Sequence, residues 1–244
     1  TDGLIPVIAQ AEQGVVYNPD GGPVGLQLRA NGGVPQDGRI EINVMGRDLD
    51  LRVSTIPTNH GESIVMRVLD RGSIQLSLTD MGFSEDTLER YQKLLERPHG
   101  VLLVTGPTGS GKSTTLAAMI DHVNTNKACH ILTLEDPIEF MHNHKKSIIA
   151  QREVGTDTES FSAGMKSALR EAPNVILLGE IRDIETMEYS LKFANTGHLA
   201  LSTLHANNSS LAIERILGFY DGSEREALAQ RVAQNLKAII CQRL

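Results

Sequence analysis

Residues 104–115 read VTGPTGSGKSTT: three glycines, then a lysine, a serine and two threonines, at the end of the apolar run VLLV. Gly106, Pro107, Thr108, Gly109, Ser110, Gly111, Lys112 and Ser113 complete the pattern G-x-x-x-x-G-K-[ST], with strand-like residues before it and helix-like residues after it. The chemistry such a stretch can do is to hold a phosphate. Glycines let the backbone curl until successive N–H groups point at one anion, and the helix that follows adds its positive end. Lys112 is then placed for the β and γ phosphates of ATP and Ser113 for Mg²⁺. Thr108 and Thr114 fit either further phosphate hydrogen bonds or ordinary helix-start positions.

A triphosphate site also needs carboxylates, to hold Mg²⁺, usually through water, and to orient the attacking water. ILTLEDPIEF supplies Glu135, Asp136 and Glu139, and VILLGEIRD supplies Glu180 and Asp183. Four apolar residues before Gly179-Glu180 look like a Walker B strand, with glycine where the usual aspartate stands. Glu180 falls where a catalytic glutamate would, at the carboxyl end of a buried strand; a strand-end glutamate in solvent has the same sequence. Asp136 precedes Pro137 and can equally cap a turn. His198 and His205 flank LALSTL, which puts them roughly 23 Å apart along one strand, too far to share a metal ion. His205 lies at the carboxyl end, where it serves either as a γ-phosphate sensor or as a plain strand-end histidine.

Elements that position these residues can be read from hydrophobic periodicity. From Gly100 onward, continuous apolar strands (VLLVT, HILTLED, VILLGE, LALSTL) alternate with amphipathic helices (KSTTLAAMIDHVN, SFSAGMKSALRE, IETMEYSLKFANT). That order indicates a parallel sheet covered on both faces. SLAIERILGFY and REALAQRVAQNLKAIICQRL are expected to be helices. Before Gly100, RIEINV and LDLRVST alternate around a GRD turn and predict a hairpin, ESIVMRVLD a third strand, and SEDTLERYQKLL a helix capped by Ser84. Residues 1–38, rich in glycine and proline, predict strands and turns, and RPHG at 97–100 marks a domain boundary.

The 244 residues suit one large domain or two small ones, with 40% hydrophobic residues and a net charge of −7. The acidic balance, the lack of tryptophan and an aromatic content of 4% argue against a nucleic-acid partner. Cys129 and Cys241 have no metal-ligand spacing and are expected to be buried or inert thiols in a reducing setting. There is no run of about 18 apolar residues that would span a membrane, and TDGLIPVIAQ lacks the basic start of a signal peptide.

Taken together and in order, GPTGSGKSTT, ILTLEDPIEF, ALREAPNVILLGEIRDIETM and TGHLALSTLHANN resemble the motor ATPases of type IV pili and type II secretion. In that family they are the Walker A, Asp box, Walker B and His box, and glycine before Glu180 belongs to the pattern. PQDGRI, LRVSTIP and IVMRVLD resemble the preceding N2 domain. The resemblance implies an α/β fold: a RecA-like P-loop NTPase domain with a parallel sheet over residues 98–244, preceded by a smaller α+β, PAS-like N2 domain and linker helix over residues 1–97. It implies Glu180 as the catalytic carboxylate, assisted by Glu135, Asp136 and Glu139, with His198 and His205 at the His-box positions. Mg²⁺ would be held by Ser113, Glu135 and Glu180, partly through water. Arg39, Arg52 and Arg67 match the N2 arginines that reach nucleotide phosphates, in keeping with guanidinium geometry; strand arginines that pair with cross-strand acids look the same.

The same resemblance implies a cytoplasmic homohexamer at the inner face of the bacterial inner membrane, bound to it only through a platform protein, that moves pilin or pseudopilin. Three departures stand out. LRANGGVPQDG is shorter than the family's mostly helical segment before PQDG, the C-terminal helical portion after CQRL is lacking, and the four-cysteine zinc motif of the assembly and secretion branch is absent. The first part is more similar to assembly and secretion motors, the segment from QREVGTDTESF to HANN to retraction motors. A RecA-like nucleic-acid motor and a nucleotide-binding regulatory module with little turnover are the alternative functions.

Overall fold

The computed structural model describes residues 14–17, 23–26, 35–44, 47–59, 61–70 and 77–243. It divides into two compact units, Thr1–Gly72 and Ser73–Leu244.

In the first unit, β1 (Gly14–Tyr17) pairs antiparallel with β2 (Pro23–Leu26). The remainder of residues 1–34, for which strands and turns were expected, lies outside the described residues. β3 (Gln36–Val44), β4 (Arg47–Thr58) and β5 (Gly61–Asp70) form the expected antiparallel meander. Period-two alternation sets its two faces. Leu51, Val53 and Thr55 are buried, whereas Arg52 and Ser54 between them are partly exposed. The register places Arg39 opposite Arg52 and Arg52 opposite Arg67, so the three arginines stand in one row on one face. Like charges directly opposite repel. Asp50, 1% exposed, offsets this by accepting a 2.9 Å hydrogen bond from Arg39 Nε.

The second unit is built on a six-stranded sheet in the order β11-β6-β10-β9-β7-β8, parallel throughout. Its strands are β6 (Gly100–Thr105), β7 (His130–Glu135), β8 (Ile148–Glu153), β9 (Val175–Glu180), β10 (Leu199–Leu204) and β11 (Leu236–Cys241). Every residue of β6 and β10 is buried, as strands sandwiched between helices must be. One apolar layer joins Leu102, Val104, Ile131 and Leu177 to α1 (Glu85–Leu95) and α2 (Lys112–Asn126). The other joins Leu103, Leu132, Leu134 and Leu178 to α3 (Phe161–Glu171), α4 (Ile184–Asn195), α5 (Ser209–Leu217) and α6 (Ser223–Asn235). Side-chain caps begin four of these helices. Ser84, Ser160, Asp183 and Asn208 each accept a backbone N–H three residues on, satisfying a donor the helix itself leaves open.

Two elements differ from the sequence reading. Residues 236–241 form β11, not the end of a helix. The run LKAII lies beside β6, and pairing with that buried strand overrides the helical continuation of α6. β8 was not anticipated, because IIAQRE mixes apolar and charged residues as an edge strand does. The units divide at Gly72–Ser73, and α1, assigned with residues 1–97 from sequence, packs Leu88, Tyr91 and Leu95 into the second unit's core. Neither cysteine is buried: Cys129 is half-buried with Sγ 3.2 Å from Ser147 Oγ, and Cys241 is exposed.

Phe193 of α4 is fully enclosed, its ring edge-on to His198 at 5.6 Å. Phe193→Ala is expected to cost about 3–5 kcal/mol, read as a lower midpoint in urea denaturation; an unchanged midpoint would show that the α4 layer does not depend on this ring.

Candidate active site

The carboxyl ends of β6, β7, β9 and β10 open on one edge of the sheet, where a parallel α/β fold binds its ligand. β6 runs directly into the glycine loop. Gly106, Gly109 and Gly111 have φ of 154°, 82° and 82°, a region that side-chain-bearing residues rarely adopt. At Gly106 space adds a second constraint: a Cβ there would lie 2.5 Å from Ser110 Oγ and 2.6 Å from the Gln242 carbonyl oxygen. Pro107, Thr108 and Gly109 are exposed at the rim, Ser110 and Gly111 are half-buried, and Ser113 and Thr114 occupy the first turn of α2, both half-buried. Gln242, which follows β11, braces this arrangement. Its N–H donates to Thr105 O at 2.8 Å and its side-chain amide to Thr115 Oγ1 at 2.6 Å.

Lys112 is buried and turned back into the loop, its ammonium donating to Gly106 O and Pro107 O at 2.9 Å each. Burial lowers its pKa, opposed by the charges of Glu180 and Glu139. The phosphate-loop lysine thus shares this edge with a strand-end carboxylate, Glu180, and with Glu139 from the loop after β7.

Glu180 ends β9 with both oxygens engaged. Arg182 Nε donates to Oε2 at 3.0 Å, and His205 Nε2 lies 3.1 Å from Oε1. Arg182 also reaches Asp136 at 3.5 Å and sits over the Phe161 ring, 5.7 Å from its centroid. Hydrogen bonding to Glu180 raises the Arg182 pKa. Arg182 is the member of the cluster that sequence reading missed, although it stands two residues after Glu180, a spacing that returns a side chain to the same side of extended backbone. Gly179 brings β9 close to β7: a Cβ there would touch Glu135 Cα at 3.4 Å. On β7, burial pushes the Glu135 carboxyl up to about 7. Glu139 is exposed.

His205 begins the loop after β10, with its carbonyl accepting from Arg215 at 3.0 Å. It lines a cleft of about 510 Å³ with Gly106, Pro107, Asn207, Glu214 and Arg215. His198 is not brought to this edge. It precedes β10, with Nδ1 3.0 Å from Phe193 O and 2.9 Å from Thr196 Oγ1. Asp183 caps α4. Arg39, Arg52 and Arg67 belong to the first unit.

Among the described residues, no group of three or more His, Cys, Asp or Glu side chains forms a metal cage. Ser113, Glu135 and Glu180 are all oxygen donors and so fit a hard cation such as Mg²⁺, which also takes phosphate and water ligands.

A glycine-rich strand-to-helix loop with an inward lysine, opposite acidic strand ends on a parallel sheet, defines a phosphate-binding α/β domain of the P-loop class. Residues 29–244 match the family described as type II/IV secretion system protein, and the chain belongs to that family. It is 42% identical over 211 residues to the type II secretion system ATPase E of Vibrio cholerae serotype O1, covering 85% of this chain and 41% of that protein. To the type IV pilus retraction ATPase PilT of Pseudomonas aeruginosa it is 43% identical over 193 residues, 79% of this chain and 54% of that one. A crystal structure of the pilus retraction motor PilT with bound ADP superposes with a TM-score of 0.74 at 41% identity, covering 85% of this chain and 59% of that chain. The chain thus spans about half the length of these curated relatives, or somewhat less.

Two outcomes follow from the site. Gly106→Ala is expected to abolish binding of a fluorescent ATP analogue, because strain and a backbone clash coincide; retained affinity would mean the loop can re-form around a methyl group. Glu135, shifted from an ordinary 4.5 to about 7, keeps a proton in the folded protein that the unfolded chain has released. Stability of the nucleotide-free protein should therefore fall as pH rises from about 4.5 to 7. Glu135→Gln should flatten that slope in pH-dependent denaturation, and an identical slope in the variant would assign the effect elsewhere.

Proposed function

We propose that the chain is the ATP-hydrolysing part of a secretion or pilus motor. The observation that carries this reading is the convergence at one sheet edge of Lys112, folded into the glycine loop, and Glu180, which ends β9 beside His205. A loop that binds phosphate needs only the first. A carboxylate at the end of β9, one strand beyond β10 and held by Arg182 and His205, adds a group that can orient and deprotonate water.

In this reading the backbone of Gly106–Ser113 and the Lys112 ammonium grip the phosphates of ATP, with Thr108 and Thr114 adding hydrogen bonds. The ammonium exchanges its present carbonyl partners for phosphate oxygens. Glu180 takes the proton of the attacking water, and Asp136, Glu139 and Glu135 shape the field around it. His205 senses the γ-phosphate from the end of β10. Ser113, Glu180 and, through water, Glu135 would hold Mg²⁺, which when bound neutralises phosphate charge. Arg39, Arg52 and Arg67 would supply positive charge to a nucleotide as arginine fingers, which suits the single row they form. His198, at the far end of β10, acts through packing rather than at the phosphates.

The protein would work as a homohexamer in the cytoplasm, on a platform protein of the bacterial inner membrane, and move pilin or pseudopilin. Family membership and likeness to proteins named as secretion and pilus ATPases support this reading.

Lys112→Ala should lose ATP binding in calorimetry with Mg²⁺ present. Glu180→Gln should bind ATP with near-native affinity while turnover falls on the order of 10²–10⁴-fold. Undiminished hydrolysis by Glu180→Gln would remove that residue from its role. Specific activity should also rise with protein concentration, since trans-acting arginines function only in the assembled ring.

A further inference from the structure

The segment joining β7 to β8 carries Asp136 and Glu139 and makes few backbone bonds of its own. It is held by side chains of the edge strand β8. The Gln151 amide oxygen accepts from His142 N at 2.7 Å, and its NH₂ group donates to Phe140 O at 2.9 Å. Two residues on, Glu153, only 2% exposed, accepts from Ile138 N at 3.2 Å. Residues two apart on a strand share a face. The register sets Gln151 opposite Thr133 and Glu153 opposite Glu135, so this is also the face on which Glu135 stands. The Gln151 amide interacts with the Glu135 carboxyl as well.

A glutamine is suited to this place. Its side chain offers donor and acceptor in one plane and can bind both sides of a passing backbone, where a carboxylate offers only acceptors. At the other end of the segment, Asn124 of α2 accepts from Lys145 N at 3.0 Å and donates to Asn143 O at 2.7 Å. The acidic loop is thus tied at one end to β8 and at the other to the helix that starts in the phosphate loop.

We infer that Gln151, with Glu153 beside it, is a positioning residue: it holds the acidic loop over the end of β7 and so sets where the carboxylates of that loop stand relative to bound nucleotide. The inference rests on the ATPase reading for its effect on turnover, but not for its effect on the loop.

The test compares the whole chain with Gln151→Met, which keeps length and removes both hydrogen bonds, and with Gln151→Asn, which keeps the amide but falls one methylene short. Amide hydrogen exchange at His142 should quicken about fivefold or more in each variant, the loss of one ordinary hydrogen bond. Exchange at Lys145, anchored by Asn124, should stay near native. In steady-state assays kcat should fall about tenfold or more while the Kd for a non-hydrolysable ATP analogue stays within about twofold, since the glycine loop is untouched. A purely structural role would instead lower the active fraction without separating kcat from affinity or His142 from Lys145. Native exchange at His142 in the folded variants overturns the inference. So does faster exchange with native kcat. If the unsubstituted chain binds nucleotide but does not turn it over, the ATPase reading fails and the exchange measurement still decides the role of Gln151.

Discussion

A sheet covered on both faces leaves charge nowhere to go but the strand ends. Six parallel strands, β6 and β10 among them buried along their whole length, face helices above and below, and an ion there would lose its hydration without a partner. Charged residues collect at the carboxyl edge because each strand ends there at the same level. The register that pairs Leu204 with Thr105 and Thr203 with Glu180 also delivers the phosphate loop, Glu180 and His205 to one place. Apolar packing of the two helical layers is thus what gives the site its geometry.

Carboxylates and cations face one another at that edge. Among the cations, Lys112 and Arg182 divide the work. Lys112 sits low in the loop, where burial already weakens its hold on its proton; this makes an anionic ligand a favourable replacement for the two carbonyls it now bonds. Arg182 is half-exposed and ties Glu180 to Asp136, so the ends of β9 and β7 behave as one acidic surface. An ion pair so open to solvent contributes little to stability, and its value lies in orientation. In the row of Arg39, Arg52 and Arg67 the pairing is less open: buried Asp50 accepts from Arg39 and makes a dense positive face tolerable.

Much of this was legible in residue order. G-x-x-x-x-G-K-[ST] needs only local geometry, a strand, a curl and a helix, and the chain supplies all three in contiguous residues. The buried strands and the cap at Ser84 were readable for the same reason: they depend on neighbours within a few positions. Less visible were β8 and β11. Both are sheet edges: β8 mixes apolar and charged residues, and β11 pairs with β6, far back along the chain. Periodicity alone does not separate a short apolar run in a strand from one in a helix.

Function-bearing residue types and the phosphate loop therefore came from the chain itself, because backbone freedom and side-chain chemistry are properties of a short stretch. Which of them meet came from folding. His198 and His205 flank one strand, and residue order already sets His205 at its carboxyl end; that this end meets the phosphate loop and Glu180 is the work of the sheet. Arg182, Gln151 and Gln242 drew no notice as isolated residues. Their importance arises from partners 46, 11 and 127 positions away, and hydrogen bonds over such separations exist only once the sheet has closed the distance.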